Sequence, residues 1–135
     1  NTGPMKKLNS IYVVEDDSNA RTMMLDFLSQ YKDVTVKGYM SAEACIGDIL
    51  FHKIHPDLVL MDYYLEGSIV TKYQGLEAVT KVKEVSPESR IIMFTSADKE
   101  DFRTIAKEKG ASDYIIKGPK GFDEVKKIIE SSYQV

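Results

Sequence analysis

The sequence predicts an α/β fold: a doubly wound, five-stranded parallel sheet in the order 2-1-3-4-5 with helices on both faces. Five short apolar runs alternate with five helix-period stretches, which is the rhythm of β-α units. Three of the runs are continuously apolar, as strands covered on both faces must be. The length, 135 residues without internal repeats or an obvious linker, suits one domain.

The first run is Ile11 to Val14, followed by a helical pattern from Asn19 to Tyr31 with Met23, Met24, Phe27 and Leu28 apolar. The second run holds Val34 and Val36 with Thr35 and Lys37 between and after them, and this alternation predicts one wet side and a place at the sheet edge. A helix follows over Ala42 to Phe51, then the run Leu58 to Met61, a helix over Leu76 to Val85, and the run Ile91 to Phe94. A helix over Phe102 to Lys109, the run Tyr114 to Ile116 and a helix over Phe122 to Ser132 complete the series, the last with Val125, Ile128 and Ile129 three and four apart. Ser18 and Ser41 stand where N-caps belong, and Pro87 and Gly110 fall where helices should stop.

Composition narrows the class further. At 43% hydrophobic and 29% charged, collagen-like, fibrous and disordered readings are excluded. A chain of this size removes roughly two thirds of its unfolded surface from water and needs no staple. The single cysteine, Cys45, cannot build an internal disulfide framework, which leads us to expect a reducing, cytoplasmic home. No apolar run approaches the roughly 18 residues of a membrane span, so a soluble protein without membrane partners is expected. With Lys+Arg 18 against Asp+Glu 21, the net charge of -3 offers no footprint for nucleic acid. Asn1 to Pro4 precede a methionine and read as a remnant of an expression vector, which leaves 5–135 as the expected domain.

In such a sheet, function belongs to the residues just past each strand. After the first run come Glu15, Asp16 and Asp17; after the third, Asp62; after the fourth, Thr95 and Ser96; after the fifth, Lys117. The first and third strands are neighbours in the predicted order, so Glu15, Asp16 and Asp62 converge on one rim. Clustered carboxylates repel one another unless a cation neutralises them, and an all-oxygen set favours a hard divalent ion, for which Mg²⁺ is the natural candidate. A lysine and a hydroxyl from the next strands would complete a pocket for phosphoryl transfer. Taken singly, each of these residues also fits a bland role as a helix cap or a solvated charge; it is their joint appearance at four strand ends that points to chemistry.

The pieces I-Y-V-V-E-D-D (Ile11 to Asp17), D-L-V-L-M-D (Asp57 to Asp62), R-I-I-M-F-T-S-A (Arg90 to Ala97) and G-A-S-D-Y-I-I-K (Gly110 to Lys117), in this order, resemble the receiver domain of bacterial two-component response regulators over Lys7 to about Tyr133. The resemblance implies a signalling switch with the flavodoxin-like receiver fold rather than a turnover enzyme, one that catalyses its own phosphorylation and dephosphorylation. Asp62 would be the phosphoacceptor, taking a phosphoryl group from a histidine kinase or phosphotransfer protein. Asp16 and Asp62 would ligate Mg²⁺ directly, Glu15 through water and Tyr64 through its main-chain carbonyl. Lys117 would pair with Asp62 at rest and with a phosphoryl oxygen afterwards. Thr95 would turn its hydroxyl to the phosphoryl group and Tyr114 would follow it inward, remodelling a surface that meets a downstream effector or a second phosphorylated copy. Two departures stand out: the stretch from Leu65 to Gly75 is about five residues longer than in the family, and Gly118 separates Lys117 from Pro119. The segment Glu66 to Gln74 is therefore expected to be the most mobile loop, and the Lys117–Gly118 bond to be trans.

Three rival readings compete with this one. An unphosphorylated interaction scaffold is the alternative closest to hand. A Mg²⁺-dependent aspartyl-phosphate phosphatase of the haloacid-dehalogenase type would want its nucleophile in a D-x-D after the first strand, where Glu15 stands. An FMN carrier would need a hydroxyl and glycine loop there, and Glu15, Asp16 and Asp17 would repel its phosphate. His52 and His55 lack the partners of a zinc site and read as a solvated turn, Lys120, Lys126 and Lys127 as a wet helix face, and Cys45 as packing within its helix. Tyr63 and Tyr64, beside Asp62, are placed to shape water access to an acyl phosphate.

Overall fold

Residues whose side chains alternate in direction along a strand must find apolar cover on both faces, and the helices of this chain supply it. The structure is a computed structural model that describes residues 5–65 and 74–135. Its elements run β1 (Lys6–Lys7), β2 (Ser10–Val14), α1 (Ser18–Leu28), β3 (Thr35–Tyr39), α2 (Ala42–His52), β4 (Leu58–Met61), α3 (Gly75–Val85), β5 (Arg90–Thr95), α4 (Glu100–Lys109), β6 (Asp113–Ile116), α5 (Gly121–Ser132) and β7 (Tyr133–Gln134). The main sheet has five strands in the order β3-β2-β4-β5-β6, all neighbours parallel, which is the predicted 2-1-3-4-5 order with the second apolar run at the edge. Among the described residues a second, two-stranded sheet joins β1 to β7 in parallel, Lys6 opposite Tyr133. Sequence reading did not anticipate it.

Alternate strand residues feed two cores. Tyr12, Val14, Val59, Met61, Ile91 and Met93 face α2, α3 and α4, where Cys45, Ile49, Val79, Val82 and Ala106 meet them. Ile11, Val13, Leu58, Leu60, Ile92, Phe94 and Ile115 face α1 and α5, against Met24, Leu28, Val125 and Ile129. Leu58, Val59, Met61, Ile91, Ile92 and Met93 are wholly buried, and each large apolar side chain taken from water contributes about 1.5 to 3 kcal/mol. This burial holds the middle of the sheet rigid and carries the strand ends with it.

Local corrections have physical causes. The N-cap of α1 is Asp17, not Ser18: its Oδ2 accepts from Ala20 N at 2.7 Å, and a carboxylate also favours the positive end of the helix dipole. The same helix ends at Leu28 rather than Tyr31, because Tyr31 turns inward and its hydroxyl donates to Glu130 Oε2 at 3.0 Å. Ser41 caps α2 as expected, accepting from Ala44 N at 3.1 Å. Gly110 closes α4 at φ 122°, in a region that favours glycine. The two histidines are exposed but not merely solvated: His52 Nε2 lies 3.1 Å from Asp48 Oδ1, and His55 Nδ1 lies 3.0 Å from Ser86 Oγ. Cys45 is wholly buried, as expected. The expectation of a mobile loop from Glu66 falls, up to Tyr73, outside the described residues, as does the reading of Asn1 to Pro4.

Candidate functional site

Glu15, Asp62 and Lys117 are each set by the next rung of the parallel ladder. Glu15 N donates to Tyr39 O at 2.9 Å, Asp62 N to Val14 O at 3.1 Å and Lys117 N to Thr95 O at 2.8 Å. The hydrogen bonds of the sheet thus extend one residue past β2, β4 and β6, and they deliver three charged side chains to one rim. Glu15, Asp16 and Asp62 offer carboxylate oxygens that all lie within 4.8 Å of one another. Two like charges that far apart repel by about 3 kcal/mol at an effective dielectric of 20, so the cluster needs a cation.

Lys117 supplies one positive charge. Its Nζ donates to Glu15 Oε1 at 2.5 Å and to Asp62 Oδ2 at 3.2 Å, so it bridges both acids and lies nearer to Glu15 than to the predicted partner Asp62. Glu15 Oε2 accepts from Asp17 N at 3.2 Å, and Asp62 Oδ1 from Tyr64 N at 3.3 Å. Burial pushes the Glu15 carboxyl up to about 7, with the Lys117 hydrogen bond opposing and the Asp62 charge adding to the shift. Burial alone would lower Lys117, but the hydrogen bond to Glu15 and the charge of Asp62 outweigh it and hold the ammonium above its ordinary value. Three acids against one ammonium leave an excess of hard oxygen donors. That set fits a small divalent cation, with Glu15, Asp16 and Asp62 as the side chains able to hold it.

Thr95 and Tyr114 are connected through one residue. Thr95 is fully buried at the end of β5 and its Oγ1 accepts from Ala97 N at 3.2 Å; the Tyr114 hydroxyl donates to Ala97 O at 2.6 Å. The Tyr114 ring lies inside, 7% exposed, with the Arg103 guanidinium 5.2 Å from its centroid. Ser96, the neighbouring hydroxyl, is exposed. On the other side of the rim, Tyr64 is 44% exposed and meets the Tyr63 ring edge-on at 5.0 Å, while Tyr63 stacks on Phe102 of α4 at 4.3 Å. Gly75 starts α3 against this turn, its N–H donating to Tyr63 O at 3.0 Å; a Cβ there would lie 2.4 Å from that oxygen. The Lys117–Gly118 bond is trans, and Gly118 has a positive φ.

Two residues near the site were not singled out from sequence. Arg21 Nη1 donates to Glu15 O at 2.7 Å and to Asp16 O at 3.4 Å. In the sequence, Gly75 marks only the end of a long loop. The R six residues after the E of E-D-D, one helical turn past the cap, was an available signal for the first.

Comparison with known proteins identifies the family and the fold. The family model for the response regulator receiver domain matches residues 11–130. The chain is 28% identical over 123 residues to the nitrate/nitrite response regulator protein NarL of Escherichia coli, covering 91% of this chain and 54% of that protein. It is 32% identical over 110 residues to the response regulator protein VraR of Staphylococcus aureus, covering 79% of this chain and 48% of that protein. The chain therefore spans about half the length of these curated relatives. The receiver domain of NtrX from Brucella abortus superposes with a TM-score of 0.77 at 24% identity, covering 90% of this chain and 96% of that one, which shows the shared fold. With its family pattern matched from the first strand of the main sheet to the last helix, the chain belongs to the response regulator receiver domains.

Proposed function

We propose that this receiver domain is a phosphorylation-dependent switch whose acceptor is Asp62 and whose reaction depends on Mg²⁺. The observation that carries the reading is the meeting of Glu15, Asp16 and Asp62 within 4.8 Å, with Lys117 already on an Asp62 oxygen. An Asp62 carboxylate oxygen attacks the phosphorus of a phosphohistidine on a histidine kinase or phosphotransfer protein. The new O–P bond forms as the donor's N–P bond breaks, and the electron pair leaves with the imidazole nitrogen. Bound Mg²⁺ would offset the negative charge on the transferring group. Glu15, Asp16, Asp62 and the Tyr64 carbonyl would hold it, Glu15 through water.

Lys117 exchanges its carboxylate partners for a phosphoryl oxygen, which draws the ammonium away from Glu15. The Thr95 hydroxyl turns to the same group, and its link to Tyr114 through the Ala97 peptide groups gives the change a route to α4, β6 and α5. That surface would meet a downstream effector or a second copy of the chain. Beside Lys117 an apolar hollow of about 470 Å³, bordered by Ala20, Met23, Phe94, Pro119 and Phe122, gives the phosphoryl donor protein a place to land. The chain acts on itself in this reading, with no turnover of a free substrate, and it works in the cytoplasm. The test is intact-mass spectrometry with acetyl phosphate, with and without Mg²⁺. The expected result is one phosphoryl group gained with Mg²⁺ and none for Asp62→Asn; equal labelling of Asp62→Asn refutes the proposal.

A further inference from the structure

The loop that carries two of the three acids is held from behind by a residue of the following helix. Arg21, in the first turn of α1, sends its Nη1 back to Glu15 O at 2.7 Å and to Asp16 O at 3.4 Å. The Glu15 N–H is tied to Tyr39 O at 2.9 Å, and its carboxylate to Asp17 N at 3.2 Å and Lys117 Nζ at 2.5 Å. Only the carbonyl side of the loop depends on Arg21. The stem of Arg21 crosses the edge strand at Gly38, where an added Cβ would lie 3.2 Å from its Cγ and Cδ and 2.9 Å from Leu25 Cδ1. Gly38 does not have a positive φ, so glycine is there for room, and that room is shared by the stem of this arginine and Leu25.

We propose that Arg21 is a positioning residue for cation binding: by holding the carbonyls of Glu15 and Asp16 it keeps their carboxylates turned toward Asp62. The inference rests on the functional reading above. Its sign separates it from a plain charge effect. A guanidinium acting only as a nearby positive charge weakens the binding of a divalent cation, so its removal would tighten binding. A guanidinium acting as a brace strengthens binding, so its removal loosens the site. Residues that orient metal ligands cost about 10- to 100-fold in affinity when lost.

The experiment is calorimetric titration of the full chain with Mg²⁺ alone, for native protein, Arg21→Met and Arg21→Lys, with the rate of phosphorylation by acetyl phosphate followed against Mg²⁺ concentration. Arg21→Met should raise the Mg²⁺ Kd about tenfold, and saturating Mg²⁺ should restore the native rate. Arg21→Lys, whose ammonium is more strongly hydrated and sits on a flexible stem without the planar fork, should recover part of the affinity and remain roughly threefold weaker than native. A Kd in Arg21→Met that equals or falls below the native value overturns the inference while leaving the functional reading in place. If Arg21→Met does not fold, Arg21→Lys decides alone, and a native Kd there overturns the proposal. A native chain that binds no Mg²⁺ overturns the functional reading and this inference with it.

Discussion

Replacing Asp57 with alanine should cost about 3 to 5 kcal/mol, although the residue sits at the end of β4 away from the acidic rim. Its side chain is 8% exposed and its carboxylate gathers the N-terminal segment. Oδ2 accepts from Asn9 N at 2.7 Å and from Ser10 N at 3.1 Å, and Oδ1 pairs with Lys6 Nζ at 2.8 Å. Hydrogen bonds to a charged group contribute roughly 1.5 to 3 kcal/mol each, and the alanine variant leaves both N–H groups without their acceptor. The Lys6 side chain is 62% exposed, so that ion pair adds little. For a chain of this size the loss corresponds to a fall in Tm on the order of 10 °C.

The pH dependence of the same residue has a definite sign. Burial would raise the Asp57 carboxyl, but Lys6 and the two backbone N–H groups outweigh it and hold it below the ordinary value. A carboxyl depressed in the folded state stabilises above its unfolded pKa of about 3.9, and that contribution disappears as pH falls through the lower folded value. Urea unfolding followed by circular dichroism at pH 7 and down a series to pH 3 measures both effects. Asp57→Ala should lose stability at pH 7 and show a shallower decline below about pH 4. A loss under about 1 kcal/mol, with the native acid limb retained, would refute the reasoning.

Gly75→Ala should destabilise by about 2 kcal/mol or more and slow Mg²⁺-dependent phosphorylation, because its Cβ would lie 2.4 Å from Tyr63 O and 2.6 Å from Tyr63 Cα, and the turn bearing Tyr64 must shift. Urea midpoints and intact-mass kinetics check the two effects. Cys45 is wholly buried and burial, with a smaller push from Asp48, raises its thiol to about 12; it should react with a disulfide reagent at pH 8 only on unfolding, which absorbance of the released thiolate measures.

Much of this was legible because a parallel sheet converts sequence order into spatial order. Once Ile11 to Val14 and Leu58 to Met61 are neighbouring strands, the residues that follow them have no choice but to share a rim, and Glu15, Asp16 and Asp62 do. The edge position of the second run was visible in its alternation, which marks a strand with one wet side. What stayed hidden depends on contacts that leave no period. Lys6 and Lys7 show no apolar pattern, and their pairing with Tyr133 and Gln134 joins opposite ends of the described chain. Asp17 and Ser18 are both good caps, and only the bond from Ala20 N separates them. Arg21 reads as an ordinary polar position of α1, because its partners are carbonyls that every residue carries. Asp48, which accepts from the Tyr39 hydroxyl and faces His52, links the edge strand to α2 through side chains whose meeting no spacing rule encodes.

The central claim is that the phosphoryl group is carried by Asp62. Brief treatment with acetyl phosphate and Mg²⁺, reduction with borohydride and peptide mass mapping reads the site directly, since an aspartyl phosphate is reduced to homoserine. Homoserine at position 62 alone, absent when Mg²⁺ is withheld, is the predicted result. Homoserine at Asp16 or Asp17 with Asp62 intact, or no reduced residue in protein that has gained the phosphoryl mass, would contradict it.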